Sequence, residues 1–166
     1  MAGLEQRVKP QILRDAEAEL PTLLQERVVW YGAKLHSSPR VHRVYRPWRN
    51  GFLFLHELHE DPEHISTLHR HFGNMWVVME DGGYDMHLAR ESQEKPTAYV
   101  RQRIKAGDWY FMGPNDWHRI LPTTRETQSL VIVQDWIPPA ITNVRGEWMR
   151  IREVDRQLDM FKGYYS

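Results

Sequence analysis

His69-Arg70-His71-Phe72-Gly73-Asn74-Met75-Trp76-Val77-Val78-Met79-Glu80-Asp81-Gly82-Gly83 decides the reading of this chain, together with Ala106-Gly107-Asp108-Trp109-Tyr110-Phe111-Met112-Gly113-Pro114-Asn115-Asp116-Trp117-His118 further along. Strand side chains alternate between two faces, so an extended segment turns His69 and His71 the same way and Arg70 the other. Both imidazoles then reach one ion. A third, His118 on a neighbouring strand, completes a metal-binding cap.

The two stretches resemble the paired motifs of the cupin superfamily, and the resemblance covers roughly residues 50 to 136. In that family the first motif carries His-x-His, then a metal-binding glutamate, then a glycine closing the strand. The second carries Gly-Asp, a turn with proline or glycine, and a last histidine. Gly107-Asp108, Pro114 and His118 stand at those offsets. The resemblance implies an all-β fold, the cupin double-stranded β-helix or jelly-roll barrel, here with N- and C-terminal helices flanking it. It also implies a divalent metal held by His69, His71 and His118. One departure bears on mechanism: Asn74, Met75 and Trp76 occupy the positions of the family's glutamate, so the ligands reduce to three neutral imidazoles. Glu80 lies further along, beside the turn residues Asp81-Gly82-Gly83. That is far along the strand for a substitute ligand, and whether it or Asn74 contributes is left open by the sequence. Some cupin dioxygenases of thiols or diketones also use three histidines.

Composition narrows the partners. The chain has 166 residues, the size of a single domain able to bury a core unaided. Its 22 lysines and arginines balance 22 aspartates and glutamates, so no net field draws in nucleic acid and a small-molecule substrate is expected. The absence of cysteine removes disulfides, thiolate ligands and a cysteine nucleophile together. No apolar run is long enough to span a bilayer and no secretory pattern opens the chain, which makes a cytoplasmic location the expectation.

Three regions are expected: a helical extension over 1–40, the barrel over 41–138 and a C-terminal helical extension over 139–166. In the first, a helix from about Pro10 to Leu20 is expected, with Pro10 in its first turn. A break at Pro21 and a short second helical piece should follow. Strands are expected from Val41 to Leu55 around a turn at Pro47, Asn50 and Gly51. Further strands are expected at 67–71, 75–79, 84–89, 99–104, 109–112, 118–121 and 129–136, the many short segments of a barrel. Pro138-Pro139 should end the pairing. A stripe at Trp148, Ile151, Val154, Leu158 and Phe161 predicts a helix over about 147–161, packing on a barrel edge or on a second subunit in a homodimer.

Neutral imidazoles suit iron, zinc, copper and nickel better than magnesium or calcium. Fe(II) is favoured, with Zn, Ni or Mn as alternatives, and an Fe(II) dioxygenase or oxidase of a small organic molecule is the leading expectation. A Lewis-acid isomerase, lyase or dehydratase is the alternative, and a non-catalytic ligand-binding barrel the third. Tyr110 is the candidate catalytic side chain, with Trp76, Trp117, Arg119 and Arg103 as candidates for substrate binding. Arg101 and Arg103, in phase, suit a carboxylate or phosphate if they face the cavity and a solvated surface if they do not. His56, His59 and His64 read as surface or supporting groups, and the direction of His87 is open. Phosphate loops, the Gly-x-Ser-x-Gly elbow and His-Glu-x-x-His do not occur, and His71 replaces the carboxylate of the usual 2-oxoglutarate oxygenase pattern.

Overall fold

A computed structural model describes residues 7–37, 39–61, 66–71, 73–89, 98–135 and 146–165. Its elements in chain order are α1 (Gln11–Leu23), a 3₁₀ turn (Arg27–Val29), β1 (Tyr31–Leu35), β2 (Arg40–Trp48), β3 (Gly51–His59), β4 (Asn74–Asp81), β5 (Gly83–Ala89), β6 (Tyr99–Lys105), β7 (Trp109–Met112), β8 (His118–Pro122), β9 (Glu126–Gln134), β10 (Gly146–Trp148) and α2 (Ile151–Lys162). All described pairings are antiparallel. They form a seven-stranded sheet in the order β10-β1-β2-β3-β9-β4-β7 and a three-stranded sheet in the order β6-β5-β8. This is the jelly-roll architecture with flanking helices that the motifs imply.

Two cores sit on either side of the large sheet. Between the sheets, Phe54, Met75, Val77, Val131 and Val133 of the large sheet meet Tyr84, Met86 and Ile104 of the small one. On the outer face, Val44, Leu53, Leu55, Val78, Leu130 and Ile132 meet both helices. Helix α1 contributes Leu13, Ala16, Leu20 and Leu24, all fully buried and spaced three or four residues apart. Helix α2 contributes Val154, Leu158 and Phe161 at the same spacing. Each fully buried leucine or phenylalanine stabilises the fold by about 1.5–3 kcal/mol. The central strands of the large sheet are therefore covered on both faces.

The ends of the elements differ from the sequence expectation in three places. Pro10 is the N-cap of α1, its carbonyl accepting from the amides of Leu13 and Arg14. Helix α1 runs through Pro21 to Leu23, because Leu20 and Leu24 bury their side chains on the sheet and outweigh the lost amide bond. The short second helical piece is the 3₁₀ turn. A strand, β1, lies within the region expected to be helical, and β10 pairs with it from the C-terminal region. Trp148 and Ile151 stay exposed, so the buried stripe of α2 begins at Val154 and is taken up by the chain's own sheet. Leu4, His64, Phe72, Trp136 and Pro138-Pro139 lie outside the described residues. Among the described residues no helix is long and apolar enough to cross a membrane.

Candidate metal centre

His69 and His118 are placed by the backbone before their side chains do anything. They form an antiparallel bridge, each amide donating to the other's carbonyl at 2.9 Å. Directly opposed residues in such a pair project to the same side, about 5 Å apart. His71 follows two residues later and returns to that side. The ring centroids lie 4.4 Å (His69–His118), 5.1 Å (His69–His71) and 5.2 Å (His71–His118) apart. One nitrogen from each ring falls within 4.8 Å of the others.

Hydrogen bonds then orient two of the rings. His69 Nδ1 lies 2.9 Å from the Thr67 carbonyl, and His118 Nδ1 lies 2.9 Å from the Asp116 carbonyl. A carbonyl only accepts, so both Nδ1 atoms carry the proton and both Nε2 lone pairs are free to bind a cation. Burial holds His118 down to about 4, with the charge of His69 adding to it. Burial likewise holds His71 well below its ordinary value, reinforced by His118, His69, His56 and Arg43. Both rings are neutral at physiological pH, the form that ligates. The donor set among the described residues thus fits a divalent transition metal with three imidazoles.

The turns that deliver His118 and close the strand before it are built from the second motif. Gly107 has φ +90°, a conformation that favours glycine, and Asp108 Oδ2 accepts from the Lys105 amide at 2.9 Å. Asp116 Oδ2 accepts from the Gly113 amide at 2.7 Å, which closes the turn two residues before His118.

The triad opens on a cavity of about 340 Å³ between the sheets. Its walls are largely apolar, with Phe54, Met75, Val77, Val131 and Val133 from the large sheet and Ile120 from the small one. Tyr110 lines it, as expected, and its hydroxyl is hydrogen-bonded to that of Tyr84. Burial raises Tyr110 to about 12 and Tyr84 well above its ordinary value, so both hydroxyls keep their protons.

The other expected substrate residues do not face this space. Trp76 alternates with Met75 and Val77, so it lies on the helix side of β4 against the outer core, its ring 5.0 Å from Phe111. Asn74 and Glu80 share that phase, and Glu80 accepts a hydrogen bond from Tyr165, which removes both as ligands. Trp117 stacks under the Arg70 guanidinium at 5.3 Å, outside the cavity. Arg119 turns out as well, donating to His87 Nδ1 at 3.2 Å. Arg103 and Arg101 are exposed and pair with Asp85 on the outer face of the small sheet.

Five further polar side chains that the motifs did not indicate line the cavity, Ser37, Thr67 and a row of three on the large sheet. Arg43, His56 and Ser129 are register partners across β2, β3 and β9. Arg43 is 7% exposed, and its Nε has no hydrogen-bond partner. His56 Nε2 is buried without a partner too, and burial lowers this ring to about 3, with Arg43 adding to the shift. The sequence signal was the period-two series Val41-Arg43-Tyr45 and Phe54-His56-Leu58, each with one polar residue on an otherwise apolar face.

No family model matches the sequence, and no curated protein matches it either. Among solved structures, hydroxypropylphosphonic acid epoxidase from S. wedmorenis aligns over 55% of this chain and 50% of its own, at 14% identity and a TM-score of 0.43. This chain therefore spans about half the length of that enzyme. A protein from Neisseria meningitidis aligns over 56% of this chain and 82% of its own, at 13% identity and a TM-score of 0.44. An oxalate decarboxylase aligns over 62% of this chain and 27% of its own, at 18% identity and a TM-score of 0.47.

Proposed function

We propose that this chain is a metal-dependent enzyme of the cupin type, with Fe(II) held by His69, His71 and His118, that oxidises a small organic molecule with dioxygen. The observation that carries the reading is the orientation of the rings. Two Nδ1–H groups are committed to backbone carbonyls, and the ring nitrogens converge at the mouth of an apolar cavity. His69, His71 and His118 would hold such an ion through three ring nitrogens, with no fourth protein ligand among the described residues. When bound, the ion supplies open positions where dioxygen and substrate meet.

The protein's own residues perform the remaining tasks. The apolar walls exclude water from the reacting groups and give the substrate a shaped space. Tyr84 and Tyr110 share one hydrogen bond between two protonated hydroxyls, which leaves one proton free to donate to a group bound in the cavity. Where Tyr84 is the donor in that pair, the free proton is that of Tyr110, which then orients the substrate.

The reading is tested by oxygen uptake with the full chain loaded with iron and presented with a library of small organic molecules. Uptake that requires both iron and substrate, and that vanishes in His118→Ala, is the expected result. Equal turnover under strict anaerobiosis would overturn it. Zinc-supported turnover without oxygen would replace it with Lewis-acid chemistry at the same ligands.

A further inference from the structure

The described lining of the cavity includes one cationic side chain, Arg43, and no anionic one. Three neutral imidazoles leave the charge of a bound divalent ion uncompensated, and the Arg43 guanidinium adds a further positive charge. Among the described lining residues there is no aspartate or glutamate. Arg43 makes no hydrogen bond or ion pair with any described residue, in contrast to Arg101 and Arg103, which both reach Asp85. Its guanidinium carbon instead lies 5.6 Å from the centroids of both Tyr45 and Phe54. Such cation–π contacts do not replace the hydrogen bonds and the counter-charge that a buried guanidinium loses with its water. A fold keeps an uncompensated cation beside its cavity where a guest supplies the counter-charge.

The cross-strand register shows how the guest would be met. Arg43 faces His56 across β2 and β3, and His56 faces Ser129 across β3 and β9. This single polar row crosses a sheet face that is apolar at the next row, Tyr45–Phe54–Val131. A guanidinium fork, an imidazole nitrogen and a hydroxyl in line match the donor needs of a planar carboxylate. The triad is delivered from the small-sheet side, where His118 begins β8 and pairs with His69.

We propose that Arg43, His56 and Ser129 form the anion subsite of this cavity and that its ligand is a small organic acid, an apolar body bearing one carboxylate. The assignment rests on the cavity being the substrate site of the proposed metalloenzyme. The three residues are binding residues and not metal ligands, so the two assignments fail separately.

The test measures binding of benzoate, of its neutral isostere benzamide and of phenylphosphonate by calorimetry. The full chain is used at neutral pH, both zinc-loaded and metal-free. The parent is expected to bind benzoate at least about tenfold more tightly than benzamide in both forms, with phenylphosphonate weaker than benzoate. In Arg43→Met the preference for benzoate disappears while zinc content equals that of the parent. Arg43→Lys, which keeps the charge and loses the fork, retains a smaller preference. Arg103→Met, on the outer face, keeps the whole of it. Failure of the parent to bind benzoate or to prefer it over benzamide, an undiminished preference in Arg43→Met, or tighter binding of phenylphosphonate would each overturn the proposal. A parent that binds no zinc yet shows the Arg43-dependent preference would remove the metal assignment and leave this one standing.

Discussion

On β2 and β3, His42 and Arg43 are consecutive residues, as are His56 and Glu57, and alternation sends one member of each pair into the cavity and the other out beneath α2. The outward set is a second histidine cluster, His42, Glu57 and His59, whose ligand atoms also lie within 4.8 Å of one another. Proximity therefore does not distinguish it from His69, His71 and His118. What each cluster's lone pairs already do is the difference. Glu57 is 3% exposed, and its carboxylate lies 2.7 Å from His59 Nε2 and 3.5 Å from Arg156 Nη2. Burial pushes its carboxyl up, yet His59 and Arg156 outweigh burial and hold it below its ordinary value. That cluster carries its own buried carboxylate, which ties Arg156 of α2 to the sheet beside the amide of Gln157 that donates to the Leu55 carbonyl at 2.9 Å, while His42 Nδ1 and His59 Nε2 make no hydrogen bond. Among the described residues no carboxylate joins the inward triad, and a cavity lies in front of it.

Metal content gives the sharpest separation. The parent, purified without a histidine tag and loaded with zinc or iron, should hold one ion per chain, and His118→Ala should hold none. The loss in affinity should exceed the roughly 10- to 100-fold that changes outside the ligand set produce. His42→Ala and His59→Ala should retain the parent's content. Elemental analysis of all four proteins checks this, and loss of metal on substituting the outward cluster would erase the distinction.

Acid should act on the inward side. His56, at about 3 in the folded protein against an ordinary 6.5, takes up its proton in the unfolded chain first. Its contribution is complete above about pH 6.5 and is lost as the pH falls toward 3, at about 1.4 kcal/mol per pH unit. His118, held at about 4, adds a similar slope over its own window. Urea unfolding of the metal-free protein between pH 7 and pH 4 should show this decline. His56→Gln should flatten it by about one proton, and an unchanged slope would show that His56 is not buried neutral.

Substituting Glu57→Gln should destabilise the fold by about 1–3 kcal/mol, because His59 and Arg156 lose the charge they face. Denaturation midpoints measure this, and metal content should not change. A variant as stable as the parent would mean that the outward network contributes nothing to holding α2.

The triad and the barrel were readable in the chain because their signals are local. His69 and His71 are two residues apart, and the turns at Gly107-Asp108 and Gly113–Asp116 fix the strands around His118 from their own sequence. The substrate residues were not readable, because strand phase decides them. Trp117 and Arg119 flank His118, so the alternation that turns Arg70 away from the ion turns them away too. Trp76 lies on a strand whose two faces are both buried, where hydrophobicity does not announce which side meets the cavity. Arg43 and His56 were hidden for the same reason. Their direction follows from the register of β2 with β3, a long-range property that spacing does not encode. The run of α1 through Pro21 is likewise tertiary, fixed by Leu20 and Leu24 against the sheet.

The central claim is that three imidazoles and no other side chain hold one ion. X-ray absorption at the metal edge of the zinc-loaded full chain tests it most directly. Three imidazole nitrogens at about 2.0–2.1 Å, with any remaining ligands being light solvent atoms and with the pattern abolished in His118→Ala, is the predicted result. A spectrum requiring fewer than three imidazoles, or one that survives in His118→Ala and disappears in His59→Ala, would contradict it.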